Sequence, residues 1–360
     1  MSGMLSPLQT AELATEQVLR IERTEQPGSV WDAYVASHPR ASVYHLSGWG
    51  RLIRELFGHE GYYWCAFDGE RPVGVLPLTR LRSRLFGDYL VSLPYVNYGG
   101  ALADNPAIEM ELMRAAASAA ARIGVSHIEF RDAIARDGRW AKRVDKVVME
   151  LGLPDNPEAL WKAVGGKVRA QVRRPLKESG VEIVTGGAEL LQPFYAVFSR
   201  NMRDLGTPVY PRALFKRIVA AFPQHTSIVL VRYRQEPVAA GFLLHYRDRM
   251  EIPWASSLQR YNRLGVNMLM YWHALESAIA AGCRTFDFGR SSVDSGTYRF
   301  KKQWGAQPRQ LHWHYWLAEG RAMPNLTPNN PKYRLAIRAW QRLPVPVANL
   351  LGPHIVRNLP

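Results

Sequence analysis

The sequence predicts an α/β fold built from two similar tandem domains, each with a mixed sheet, packed on each other across a cleft. Three observations carry this. A chain of 360 residues exceeds what one hydrophobic core usually serves. The succession of hairpin, strand, helix and strand occurs twice along it. The two copies also run in step: Gly124-Val-Ser-His-Ile-Glu-Phe-Arg-Asp132 aligns with Gly282-Cys-Arg-Thr-Phe-Asp-Phe-Gly-Arg290, and Pro72 with Pro237, after one short insertion or deletion. Glu129 and Asp287 then occupy equivalent positions. The expected division is a first domain over residues 1–160, a second over 161–320 and a basic, proline-rich tail over 321–360.

In the first copy, residues 30–37 have a helical pattern, and a second helix over 47–57 begins at Ser47, a residue suited to a cap. An aromatic-rich strand at 62–67, a hairpin turn at Asp68-Gly69 and a returning strand at 72–81 follow. A third strand lies near 89–93, before a loop at 94–100. Ile108, Leu112, Ala115, Ala119 and Ile123 share one helical face, Gly124 closes that helix, and residues 127–131 form the next strand. The second copy repeats this with strands at 227–233, 238–246 and 249–255, a helix over about 267–281, and a strand at 285–288 that breaks at Gly289 into a polar loop.

Residues 161–180 carry Lys162, Lys167, Arg169, Arg173, Arg174 and Lys177 against one acid, Glu178, and Pro175 makes any helix there short or kinked. Most of these side chains are read as a solvated face. A loop at 203–212 holds Arg203, Tyr210 and Arg212 between two helices. His312 and His314 face the same way on a strand, too few for a metal site.

Two cysteines, Cys65 and Cys283, make no disulfide framework, which fits a reducing cytoplasm. No segment has the apolar length of a membrane span, and residues 1–20 lack the apolar core of a signal peptide. A net charge of +15 calls for an anionic partner: nucleic acid, a phosphorylated substrate or an acidic membrane face. The tail has six basic residues and no acidic one, and residues 333–343 with Trp340 would suit an anionic membrane as a basic amphipathic helix. Packing of the tail back on the body is the reading preferred. The expected location is the cytoplasm or the inner face of the membrane.

The two-copy layout, with Phe-Asp-Phe-Gly-Arg-Ser-Ser at 286–292 and Tyr-Arg-Phe-Lys-Lys-Gln-Trp-Gly at 298–305, resembles the FemAB family of tandem GNAT-fold (acyl-CoA N-acyltransferase) proteins. With the loop at 203–212, it looks most like the FemAB-related proteins associated with exosortase (PEP-CTERM) systems of exopolysaccharide-producing bacteria. The resemblance covers residues 42–317. It implies transfer of an amino acid from aminoacyl-tRNA to the amine of a peptidoglycan precursor, with Lys301, flanked by Phe300, supporting the acyl group. It also implies a cation on the substrate's phosphates from the helix carrying Trp49-Gly50, here Arg51 or Arg54. Arginine in place of the usual lysine keeps the charge and changes the geometry. The acetyl-CoA fingerprint of GNAT enzymes is degenerate here, because 259–265 retains only Gly265. Gln259, Arg263, Gly265 and Asn267 at that helix start remain the expected donor-binding set, a phosphate cradle of backbone amides.

Acyl transfer to an amine needs an acceptor for the nucleophile's proton and a donor to hold the oxyanion. Lys301 is the candidate for the second task and Asp287 for the first, with Tyr298 positioning the acyl carbonyl. Arg203 and Arg212 are expected as anion clamps, and Tyr98, Tyr210, Arg290, Phe300 and Trp304 as further substrate contacts. The first copy lacks the Tyr-Arg-Phe-Lys run, so it is expected to supply acceptor contacts through Arg51, Arg54 and residues 95–100. The expected function is an acyltransferase with acyl-CoA or aminoacyl-tRNA as donor substrate and no permanently bound cofactor or metal. Its acceptor is an amine or hydroxyl of a cell-envelope or exopolysaccharide precursor. The rival is a catalytically silent protein holding a glycan or lipid-linked intermediate in the interdomain cleft.

Overall fold

A computed structural model describes residues 19–84, 86–136, 140–324 and 334–359. The first half runs β1 (Arg20–Thr24), α1 (Ser29–Ser37), α2 (Ser47–Phe57), β2 (Glu60–Asp68), β3 (Arg71–Ser83), β4 (Gly87–Val91), β5 (Leu102–Ala103), α3 (Pro106–Ile123), β6 (His127–Asp132), β7 (Ala141–Arg143) and β8 (Lys146–Gly152). The second runs α4 (Pro157–Ala163), α5 (Gly166–Arg173), β9 (Val181–Gly186), α6 (Leu191–Leu205), α7 (Arg212–Ala221), β10 (Thr226–Tyr233), β11 (Glu236–Tyr246), β12 (Arg249–Ser257), α8 (Val266–Ala280), β13 (Thr285–Ser292), α9 (Gly296–Lys302), β14 (Gln307–Gln310) and β15 (His312–Leu317). Two tail helices follow, α10 (Arg334–Gln341) and α11 (Val345–Val356).

The internal repeat is visible in the pairing. In one sheet β2, β3 and β4 form an antiparallel meander, and α3 carries the chain to β6, parallel to β4. In the other β10, β11 and β12 do the same, and α8 leads to β13, parallel to β12. Both sheets are therefore mixed, in the orders β1-β2-β3-β4-β6-β15-β7, with β5 beside β3, and β14-β8-β13-β12-β11-β10-β9.

A cut at residue 160 does not follow these sheets. β8 lies before it in sequence yet pairs with β13 and β14, whereas β15, from the second half, pairs with β6 and β7. Each half thus closes the other's sheet beyond the last strand of its repeat, covering backbone donors and acceptors that an edge would leave open. Alternation marks β8 and β15 as strands without saying whose neighbours they are.

Packing reinforces the exchange. α3 covers one outer face through Leu112, Met113, Ala116 and Ala120, and α8 the other through Leu269, Met270 and Leu275 against Phe286 and Phe288. The inner faces share one core, in which Tyr44, Trp49 and Ile53 meet Phe194, Phe215, Phe242 and Trp254. Trp313 and Tyr315 of β15 belong to the same cluster.

Local departures from expectation have simple causes. Ser47 does not cap α2; its hydroxyl and amide donate to Asp32 at 2.6 and 2.7 Å. The basic run folds as two short helices, α4 ending where Arg169 donates to the Val164 carbonyl at 2.7 Å. The strand at 285 continues through Gly289 to Ser292, with a register shift after Asp287 that Gly289 absorbs at φ +79°. Instead of a polar loop around Lys301, Ser295 caps α9 by accepting from the Tyr298 amide. Residue 333 of the expected tail helix, and the loop residues 137–139, lie outside the described residues.

Candidate active site

β12 and β13 pair for three residues, Arg249 to Glu251 against Thr285 to Asp287, and then part. Phe286 and Phe288 point to α8, so Asp287, one step along the strand, points to the first half. Glu251 stands directly opposite it in register. The fork therefore holds two buried carboxyl groups side by side, Asp287 fully enclosed and Glu251 5% exposed. In the first copy the corresponding parallel pair is Val91 and Glu129. Only the second copy places two carboxyl groups there.

The first half reaches over to hold them. The Tyr44 hydroxyl donates to Glu251 Oε2 at 2.6 Å, and Asn97 Nδ2 to Oε1 at 3.1 Å. The Tyr98 hydroxyl lies 2.9 Å from Asp287 Oδ2 and 3.2 Å from Glu251 Oε2, so one phenol proton serves both acids. The Gly289 amide donates to Asp287 Oδ1 at 2.7 Å, and Arg249 approaches Oδ2 at 3.4 Å. Arg249 also pairs with Glu150 of β8, which Arg309 Nε grips at 2.7 Å. Lys301 enters the fork from α9, its Nζ donating to the Gly289 and Arg290 carbonyls, both at 3.0 Å.

Burial, and after it the neighbouring Asp287 charge, pushes Glu251 up to about 7. Burial lowers Lys301 to about 8, against the pull of Asp287 and Glu251. A carboxyl group and an ammonium that both titrate near neutrality are suited to taking and giving protons. Tyr44 and Tyr98 stay neutral, held well above their ordinary range by burial and then by these carboxylates.

Tyr98 and Arg249 also line an interdomain cavity of about 290 Å³. Its walls come from residues 98–102, 131–134 and Arg136 of the first half and from 246–249 and Arg309 of the second, with Arg40 and Ser42 at one side. Arginines from both halves line it together with Asp132 and Asp248; Arg40, Arg131, Arg136, Arg249 and Arg309 are paired with acids, and Arg247 has no acidic partner among the described residues.

Of the residues expected at the site, Asp287, Lys301 and Tyr98 do come together. Tyr98 does so as a buried bridge between acids, and Lys301 is itself buried. Tyr298 and Trp304 are buried in the second domain's core with Phe300 packed against it, Phe300 lying 5.1 Å from the Tyr271 ring. The spacing that singled them out is that of a short helix turning apolar side chains onto a sheet. Arg51 and Arg54 line a separate notch with Glu25, Gln26 and Tyr63, because α2 gives its other face, Trp49, Leu52 and Ile53, to the shared core. Arg203 is no free clamp: it pairs with Asp204 and donates to the Leu343 carbonyl at 2.8 Å. Arg212 is exposed at the start of α7. Tyr210 packs edge-on between Tyr95 and Trp254. Arg290 lies 4.9 Å from the Trp313 ring, which Arg131 approaches at 4.6 Å.

Gln259 and Arg263 are exposed on a single turn before α8, and Asn267 is half-buried in its first turn. Gly265 adopts φ +82°, and a Cβ there would stand 2.9 Å from the Gln171 carbonyl, so α5 leans over this helix start. Sequence reading missed Glu251, Tyr44 and Arg249, while Asn97 lies in the loop 95–100 expected to contact the acceptor and instead donates to Glu251. One signal was present for Glu251: an acid inside the apolar strand Met250-Glu251-Ile252 where the first copy has valine.

Two antiparallel meanders, each completed by a helix and a parallel strand, with a fork holding polar groups, define a tandem GNAT-like architecture. Residues 166–302 match the family described as an acetyltransferase (GNAT) domain. Solved structures share the fold over most of the chain. FemX aligns with a TM-score of 0.61 at 14% identity, over 88% of this chain and 100% of its own. A tandem GNAT protein from the clavulanic acid biosynthesis pathway aligns at 0.54 and 12%, over 85% and 100%. L-PGS from Bacillus licheniformis aligns at 0.52 and 12%, over 92% and 97%. No curated protein matches the sequence. Among the described residues no group of side chains is arranged to hold a metal ion, and no helix is long and apolar enough to cross a membrane.

Proposed function

We propose that the protein is an acyltransferase whose chemistry resides in the fork of the second domain. The observation that carries this reading is the buried Glu251 carboxyl, brought to titrate near pH 7 beside Asp287 and linked by Tyr98 to the interdomain cavity. The acceptor's amine or hydroxyl sits in that cavity and attacks the acyl carbonyl. A carbon–nitrogen or carbon–oxygen bond forms, and the donor's ester or thioester bond breaks. The nucleophile's proton passes to the Tyr98 oxygen as the phenol proton moves to Glu251, and the departing alkoxide or thiolate takes a proton back by the same route to leave as the alcohol or thiol. Two of the three Lys301 N–H groups are spent on the Gly289 and Arg290 carbonyls; the third is free for the developing oxyanion.

The donor is anionic, an aminoacyl-tRNA or an acyl-CoA, and meets the turn before α8, where Arg263 and the neighbouring Lys167, Arg173, Arg174 and Lys177 are exposed. The acceptor is an envelope or exopolysaccharide precursor, in line with the resemblance of 286–292 and 298–305 to the FemAB family and, with the loop at 203–212, to its exosortase-associated members. Arg247, on the cavity wall without an acidic partner among the described residues, supports an acidic or phosphorylated one. The test is consumption of labelled aminoacyl-tRNA and, separately, acyl-CoA with an envelope-precursor extract, for the native chain, Glu251→Gln and Tyr98→Phe. Turnover of one donor, with kcat reduced about 100-fold or more in both variants, supports the reading. Turnover of neither donor by the native chain, or unaltered turnover in both variants, overturns it.

A further inference from the structure

α11 has two faces of opposite fate. Ala348, Gly352 and Val356 recur every fourth residue and are buried. The contact is close: a Cβ on Gly352 would lie 2.8 Å from the Val209 amide and 2.9 Å from its carbonyl, so only glycine allows it. The end of the helix is clamped to the first half. Arg357 donates to the Phe57 carbonyl at 2.7 Å, and its own carbonyl meets His59 Nε2 and the Tyr95 hydroxyl, each at 2.8 Å. The outer face carries, at i, i+3 and i+4, Val347, Leu350 and Leu351, which are 38%, 69% and 43% exposed. A helix held this firmly keeps those side chains in water.

α10 extends the surface. Its Ile337 packs on Gly206 at the end of α6, and Gln341 donates to the Asp204 carbonyl. Leu335 projects outward at 78% exposed, and Arg338 on the same helix and Arg342 just past its end are exposed as well. Four of the nine large apolar side chains exposed among the described residues lie on these two short helices, and a fifth, Leu205, ends the helix beneath them. Residues 321–360 contain Arg321, Lys332, Arg334, Arg338, Arg342 and Arg357 and no aspartate or glutamate. The nearby Asp204 is already paired with Arg203. Exposed leucines with the exposed Arg338 and Arg342 beside them, in a tail segment that contains no acid, complement an anionic lipid surface, where the leucines enter the acyl boundary and the arginines meet the headgroups.

We propose that the paired helices α10 and α11 form a docking face for an anionic lipid bilayer, seating the protein as a peripheral membrane protein. The contact is distinct from the expected one, since Trp340 is half-buried and the deepest insertion comes from Leu350 and Leu351. It stands on this surface alone and does not depend on the acyl-transfer reading.

The test is flotation of the full chain with vesicles of phosphatidylcholine alone and of phosphatidylcholine with phosphatidylglycerol, beside Leu350→Glu/Leu351→Glu and Arg338→Glu/Arg342→Glu. All four positions are exposed, so each double variant should keep the native Tm, and circular dichroism checks this. The expected result is binding to the anionic vesicles that salt weakens, at least tenfold less binding to neutral ones, and about a tenfold or greater loss in each variant. Equal binding by native chain and both variants, or binding to neither vesicle, overturns the proposal. Two further outcomes also overturn it: displacement of the chain by millimolar glycerol phosphate with the leucine variant unaffected, which marks a soluble phosphate site, and a dimer dissolved by the leucine variant without vesicle binding, which marks a contact between copies.

Discussion

Replacing Glu251 with glutamine separates the acid's chemistry from its shape. In the native chain this carboxyl titrates at about 7 instead of 4.5, so between these pH values the folded state holds a proton that the unfolded state has released. Stability should therefore fall as pH rises from about 4.5 to about 7 and stay level above, a loss of about 3 kcal/mol. Glutamine cannot ionise, and Tyr44 can still donate to its carbonyl oxygen. Its amide nitrogen would face the Asn97 donor unless Asn97 flips, which costs about 1 kcal/mol. Glu251→Gln should thus gain about 2 kcal/mol over the native chain at pH 8, about 3 °C in Tm for a chain of 360 residues, and lose about 1 kcal/mol below pH 4.5. Its kcat should drop about 100-fold or more, and the acid limb of the native rate profile, set near pH 7, should vanish. Melting curves from pH 4 to 9 and rates over the same range read both effects. A Tm difference independent of pH would refute the assignment of the proton to Glu251, and a kcat within a factor of about five of native would refute its role as acceptor.

Lys301→Met removes a buried cation that holds two carbonyls, so both kcat and Tm should fall, the former about 100-fold; because burial lowers Lys301 to about 8, the native chain should gain stability between about pH 8 and 10.5, and this variant should not. Trp304→Ala should cost about 3–5 kcal/mol of stability and leave the acceptor's KM unchanged if folded protein is assayed, whereas an altered KM would restore Trp304 as a substrate contact. Arg54→Ala should change neither kcat nor KM, since Arg54 lies apart from the cavity; a raised KM would place the acceptor on α2 after all. Donor affinity should fall steeply with salt if the donor is tRNA, and further on charge reversal at Arg173 and Arg174; a flat response identifies a small donor.

Much of the architecture was legible in the residues alone. Apolar periodicity and the glycines at 124 and 282 placed both meanders, their helices and the parallel strands after them, because each signal is local: a strand shows alternation and a helix end shows its glycine. The same local order, with the Phe-Asp-Phe-Gly and Tyr-Arg-Phe-Lys runs, pointed to Asp287 and Lys301. What surrounds them was not local. Tyr44 meets Glu251 across 207 positions and Tyr98 meets Asp287 across 189, contacts that exist only once two sheets have packed face to face. The strand exchange of β8 and β15, the burial of Tyr298 and Trp304 and the outward turn of Arg51 and Arg54 are likewise decided by which face each element gives to a core. Periodicity shows that a face is buried and is silent on what it is buried against; the pairing of two acids at a strand fork, and the shift it imposes on Glu251, belong to the tertiary structure.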